Sequence, residues 1–149
     1  MYSNFSSKEE LFLALLDRHL ARQLEQVETL YAIESSEELL AALRASTERE
    51  LAEARDFGVL VVEFWLYAMR QPAARAELAT RYRQLRGRLG ELIAARHARH
   101  GTAPPIPPEH LAALALATDT GLFLQFLAEP GALPLALHGD AMLRLLEPG

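Results

Sequence analysis

The chain has 149 residues, half of them apolar and 23% charged, with no Cys and a formal charge of −5. This is the make-up of one globular domain with room for a core. It excludes a disulfide scaffold, thiolate metal sites and thiol nucleophiles, and its sign is wrong for a module that lives on phosphate backbones.

Nearly every segment repeats its apolar residues with a 3.6-residue period and none alternates like a strand, so the expected fold is all-α with about six helices. The first helix opens at a capping box, Ser6 with Glu9. Its apolar stripe runs through Leu11, Phe12, Leu15, Leu16, Leu20, Leu24, Val27, Leu30 and Tyr31, roughly seven turns. A second capping box, Ser35 with Glu38, starts a helix that turns Leu39, Leu40, Leu43, Leu51 and Ala54 inward. Asp56, Phe57 and Gly58 interrupt the pattern before an apolar helix over 59–70. Gln71 and Pro72 stop that helix and seed the next at its first turn. The fourth helix reaches about His100, with Leu78, Tyr82, Leu85, Leu89, Leu92 and Ile93 on one side and Gly101 as its C-terminal cap.

Residues 102–108 hold four Pro and form an extended connector. The fifth helix, over 109–128, is apolar nearly all round and is ended by Pro130 and Gly131. A last helix over 134–146 is expected to break near Gly139. The first ten residues lack the basic-then-apolar order of a signal peptide. The most apolar run, 58–69, contains Glu63 and is short of the ~20 residues of a spanning helix. A cytoplasmic chain with no membrane partner is expected.

Charge is unevenly laid out. Residues 1–71 carry net −6, residues 72–100 net +5 and residues 101–149 net −4. The basic stretch holds Arg75, Arg81, Arg83, Arg86, Arg88, Arg96 and Arg99 around the helix axis, with Tyr82 as the interleaved aromatic. It reads as a solvated, ion-paired helix in preference to a phosphate-binding strip. Signals for an enzyme are poor: there is no Gly-rich phosphate loop, no nucleophile elbow and no Cys. His97 and His100, three apart at a helix end, lack a third ligand, so no metal and no cofactor are expected.

Tyr2, Phe5, Lys8, Glu9, Glu10, Leu11 and Phe12 resemble the junction of TetR-family transcription regulators, where a recognition helix ends in Tyr-x-x-Phe and the long fourth helix begins. Residues 63–72, from Glu63 through Trp65 to Pro72, are similar to the family's sixth-helix ending. Residues 117–125 are similar to its eighth helix, with Thr120 splitting the usual Asp-Gly-Leu. The resemblance implies a TetR-like C-terminal regulatory domain over residues 6–149, residues 1–5 being a remnant of the DNA-binding head. Tyr2 and Lys8 occupy positions that touch DNA phosphates in the family. Without the helix-turn-helix they cannot read sequence, so operator DNA is a partner only where the missing N-terminal helices are present.

The resemblance further implies a domain that senses a small, largely apolar effector, forms a homodimer and belongs to a repressor. The candidate lining is His19 and Gln23 on the first helix, then Leu60, Phe64 and Trp65 on the third. Tyr82, Leu85 and Leu89 follow on the fourth, and Thr118, Leu122 and Gln125 on the fifth. Tyr82 and Thr118 each place a hydroxyl on an apolar face. His19 reads equally as a partly exposed capping residue, and an aromatic cluster of this kind is more often ordinary core. Glu63, if buried, needs a partner, for which an Arg of the fourth helix is favoured. Leu116, Phe123, Phe126 and Leu127, with Leu135, Leu137, Met142, Leu145 and Leu146, suggest a helix-on-helix homodimer seam. The rival from another class is a head-less helical dimer acting as a sensor or protein-interaction module.

Overall fold

A computed structural model describes residues 7–147 apart from Ala54, and no side-chain placement at Glu53 or Arg55. Six helices follow one another, α1 (Lys8–Tyr31), α2 (Ser36–Glu53), α3 (Arg55–Arg70), α4 (Pro72–Arg99), α5 (Pro108–Ala128) and α6 (Ala136–Leu146), with no strand among the described residues. The all-α expectation holds.

The helix ends follow from local chemistry. Ser7 caps α1, its Oγ accepting from the Glu10 amide at 3.1 Å. The cap therefore sits one residue later than the expected Ser6, which lies outside the described residues. Glu9 and Glu10 fill the first turn, where carboxylates oppose the helix dipole. Ser35 Oγ accepts from the Glu38 amide at 3.4 Å, half of the expected box. Pro72 opens α4 behind Gln71, and Gly101 closes it at φ 67°, a conformation that glycine reaches without strain.

Two expected breaks do not occur, for the same reason. Gly58 lies within α3, and a Cβ there would collide with the Phe123 ring and approach Leu127 Cδ1 to 3.2 Å. Gly139 lies buried within α6, where a Cβ would stand 3.1 Å from Arg44 Cγ and 3.3 Å from its amide nitrogen. Both glycines let helices approach closely instead of ending them.

Two cores result. Phe12, Leu16, Phe64, Ala68, Ala74 and Leu78 join α1, α3 and the start of α4, with the Phe12 and Phe64 rings stacked at 4.7 Å. Tyr31, Leu89, Ile93, Leu111, Ala112, Ala115, Met142 and Leu146 join the end of α1 to α4, α5 and α6. Each fully buried side chain of Leu or Ile size contributes about 1.5–3 kcal/mol.

The charge segregation becomes a set of cross-links. Arg81 binds both carboxylate oxygens of Asp17, at 2.5 and 3.0 Å, and Arg88 donates to Glu28 Oε1 at 3.1 and 2.9 Å. The pairings rise together in number, so α1 and α4 run parallel. Beyond them Arg99 donates to the Tyr31 carbonyl at 2.7 Å. Arg96 departs from a solvated helix: it is fully buried, donating to Ile33 O at 2.6 Å and through Nε to Glu147 Oε1 at 2.8 Å. Ser36 Oγ holds the second Glu147 oxygen at 2.9 Å. Glu63 is exposed, so it carries no burial cost that would demand an Arg partner.

The seam expectation is changed in detail. Phe126, Met142 and Leu146 are buried within the chain, because α6 packs inward on α2 and α5. Phe123 and Leu127 lie against Gly58 of α3. Leu116 and Leu145 are half-buried, while Leu135 and Leu137 are exposed. The open apolar side of α5 instead presents Leu114 and Leu124, with the small residues Ala113 and Ala117 exposed beside them. By length and composition α5 could cross a membrane, but Leu111, Ala112, Ala115 and Phe126 belong to the core.

Candidate ligand cavity

A cavity of about 100 Å³ lies where α1, α2, α4, α5 and α6 meet. Its walls come from helical stripes. Leu24, Val27 and Tyr31 recur along α1, Leu85 and Leu89 stand one turn apart on α4, and Leu116, Met142 and Leu146 close it from α5 and α6. Ala115 is the small residue on the α5 wall, and its methyl leaves the space open.

Polar groups form one side. His138 places Nε2 2.9 Å from Asp119 Oδ1 and Nδ1 2.8 Å from Thr47 Oγ1, tying α6 to α5 and α2 at once. Thr47 Oγ1 also lies 3.0 Å from Leu43 O. If the hydroxyl donates to that carbonyl, it accepts from Nδ1–H; if it donates to Nδ1, Nε2–H serves Asp119. One turn along α2, Ser46 Oγ donates to Glu50 Oε1 at 2.9 Å. Burial pushes the Glu50 carboxyl above its ordinary value; the Ser46 hydroxyl pulls it down and the nearby Asp119 charge pushes it further up.

The Asp119–His138–Thr47 row matches a nucleophile relay in its distances only. Thr47 is buried in the interior of α2, where the neighbouring amides are committed to helix bonds. Among the described residues no group of three His, Asp or Glu could hold a metal ion. His97 is buried with Nδ1 3.0 Å from Thr102 Oγ1, while His100 is exposed, so the two do not converge.

Of the residues expected to line a pocket, Gln23, Leu85 and Leu89 do so. The others sit elsewhere. His19 packs against Phe57 with ring centres 4.7 Å apart, and burial holds its imidazole below the ordinary value. Phe64 belongs to the core with Phe12 and also lines a separate cleft of about 350 Å³, beside Ser7, Glu9, Glu63 and Tyr67. Leu60 and Trp65 are exposed, with Trp65 Nε1 donating to Tyr82 Oη at 3.2 Å. Thr118 and Leu122 are half-buried outside the cavity, and exposed Gln125 donates to Gly121 O at 3.3 Å. Lys8 stands exposed in the first turn of α1; Tyr2 lies outside the described residues.

Sequence reasoning missed the α2 wall, although a signal was there. Leu39, Leu43, Ser46 and Glu50 form a single i, i+4, i+7, i+11 stripe whose second half turns polar while still facing inward. It also assigned Leu116, Met142 and Leu146 to a partner subunit, whereas they close the cavity.

A family model, that of the C-terminal domain of BetI-type transcriptional repressors, matches residues 35–147. No curated protein and no solved structure matches the chain.

Proposed function

As the chain belongs to the TetR family of transcriptional regulators, represented by its C-terminal domain, we propose that its cavity receives a small, largely apolar effector that releases a repressor from DNA. The observation that carries this reading is the space itself: an apolar cavity with one polar side, bounded by α1 and α4. A site of this kind binds apolar molecules and orients them by a few polar groups. At about 100 Å³ the space holds roughly three waters at ~30 Å³ each. A larger effector must enlarge it by moving α1 away from α4. In this family α1 would lead from the head, so such a movement changes the spacing of two heads. The effector shifts the equilibrium only by the difference in its affinity for the two spacings.

A homodimer is part of the proposal. Support comes from the open side of α5, where Leu114 and Leu124 are 48% and 41% exposed beside small residues that permit close helix approach. Leu114→Glu with Leu124→Glu is expected to convert a dimer to monomer in analytical ultracentrifugation, and an unchanged mass would remove this face from the reading.

The effector reading is tested by gel shift with the gene's full-length product on its own promoter. A shift abolished by an apolar effector, and restored by Ala115→Leu, which fills the cavity, is the expected result. A shift that persists at saturating effector refutes release. No shift under any condition favours the head-less sensor module instead. Operator binding is proposed only where the family's head helices precede residue 1, with Tyr2 and Lys8 then touching phosphates.

A further inference from the structure

The inner side of α3 is used by the protein: Phe64 and Ala68 enter the core with Phe12, and Gly58 lies against Phe123 of α5. Its outer side is open and apolar. Val59, Leu66 and Met69 are 53%, 58% and 49% exposed, with half-buried Val62 among them. The four are spaced i, i+3, i+7 and i+10, which lines them up along one helix face over two heptads. That spacing is the pattern by which one helix seats on another. Fixed side chains bound the stripe. On one flank Tyr67 donates to Glu9 at 2.7 Å, and on the other Trp65 donates to Tyr82 at 3.2 Å. The open face is thereby tied to α1 and α4.

Two charges stand beside the stripe, Glu63 and Arg70, seven residues apart and so on the same flank. Both are exposed, and neither has an ion pair or side-chain hydrogen bond among the described residues. Elsewhere charges pair across helices, Arg81 with Asp17 and Arg88 with Glu28. A face with an unpaired acid and an unpaired base at heptad spacing is complementary to itself. Turned end over end by a two-fold axis, it sets the acid of one copy beside the base of the other. Charge then decides the register. Leu66 over Met69 of the other copy brings Glu63 next to Arg70, twice by symmetry. Sliding by one heptad overlaps all four apolar residues but sets Glu63 against Glu63. In a parallel pair the flank of Glu63 and Arg70 faces that of Gly58 and Trp65, so the two charges do not meet.

We propose that the outer face of α3 is a self-association surface. The α3 helix of a second copy of the chain seats on it antiparallel, held by Leu66 over Met69 and by two Glu63–Arg70 pairs. The contact is separate from the α5 face and does not rest on it. Two helices of four turns bury less than the ~1,200 Å² of a stable interface. The pairing is therefore weak, with a Kd on the order of 100 µM. It joins copies, or units already formed through another contact, that are held close together at effective concentrations in the ~mM range.

The test is sedimentation equilibrium of the chain over a concentration series reaching about 1 mM. The mass of the dilute species, whether one copy or two, is expected to double at the top of the series. Leu66→Glu abolishes the doubling. Glu63→Lys and Arg70→Glu each weaken it about tenfold, because either change turns both attractive pairs into like-charge pairs. Glu63→Arg combined with Arg70→Glu restores the parent's association, a rescue that a loss of folding would not give. Orientation is read by cross-linking, since the chain has no Cys of its own. Leu66→Cys is expected to cross-link with a short bismaleimide. Val59→Cys is not, because at ~1.5 Å rise per residue its two copies stand about 25 Å apart along the pair. Four results overturn the proposal: no doubling, doubling that survives Leu66→Glu, a charge-swapped double variant no better than the single ones, or equal cross-linking at both positions, which marks a parallel pair.

Discussion

The Arg96–Glu147 pair offers the sharpest test of how the domain is held together. The Arg96 side chain is 1% exposed and that of Glu147 14%, so the guanidinium depends on protein groups for its solvation. Glu147 accepts from Arg96 Nε and Nη2 through one oxygen and from Ser36 through the other. Breaking a buried pair by removing one partner costs about 3–5 kcal/mol, because a charge is left uncompensated. In Glu147→Ala the carbonyls of Ile33 and Tyr31 still receive Arg96, which places the loss at the lower end, about 3 kcal/mol. For a domain of this length 1 kcal/mol moves the melting temperature by about 2–4 °C. A fall of about 6–12 °C is therefore expected by circular dichroism, with the same ordering in urea. Arg96→Met combined with Glu147→Leu should recover most of it, since a pair replaced by well-packed apolar groups is often neutral or better. A loss below about 1 kcal/mol for Glu147→Ala, or a double variant no better than the single one, would refute the reasoning.

Four further outcomes follow from the same geometry. Tyr31→Phe removes a buried hydroxyl that has no partner and should raise stability by about 1 kcal/mol in urea denaturation; a loss of that size would show that the hydroxyl is satisfied. Gly58→Ala gains about 1 kcal/mol of helix propensity but drives a methyl into Phe123, an overpacking cost of about 1–3 kcal/mol, so a net loss is expected in thermal melts. Glu50 has a folded-state pKa raised by burial, so the folded chain holds more protons there than the unfolded one. Its contribution is present below the ordinary carboxylate range and is lost as pH rises through the raised value. Melting temperatures measured across that window should show a fall that Glu50→Gln flattens, and identical profiles would contradict it. Leu89→Ala enlarges the cavity wall and should cost about 2–5 kcal/mol, while an apolar probe such as benzene restores part of the melting temperature.

The helices were legible because their signals are local. Pro72 behind Gln71, Gly101 after α4 and the apolar stripe of α1 each act within a turn or two, and all three stand where the pattern put them. What failed was the reading of glycine as a breaker at Gly58 and Gly139, where its function is tertiary and depends on Phe123 and Arg44, residues distant in the chain. The candidate site was legible only in part for the same reason. Gln23, Leu85 and Leu89 face the cavity because the stripes of α1 and α4 face each other. Periodicity says which residues share a face but not which helix covers it. Met142 and Leu146 were therefore indistinguishable from seam residues until α6 was seen to pack on α2. His138 reached the site through two partners, Asp119 and Thr47, that no spacing rule connects.

The ladder between α1 and α4 also bears on how the chain acquires its structure. Asp17 lies 64 residues from Arg81, Glu28 lies 60 from Arg88, and Arg96 lies 51 from Glu147. During synthesis at ~5–20 residues per second, α1 leaves the ribosome several seconds before its cationic counterpart exists. Its acidic face is well hydrated and tolerates that wait, but its apolar stripe has only α2 and α3 for cover. The buried guanidinium is neutralised later still, once α6 has been made. Pairings this far apart form only once the long intervening segments have been brought together, so the ladder consolidates after the helices it joins.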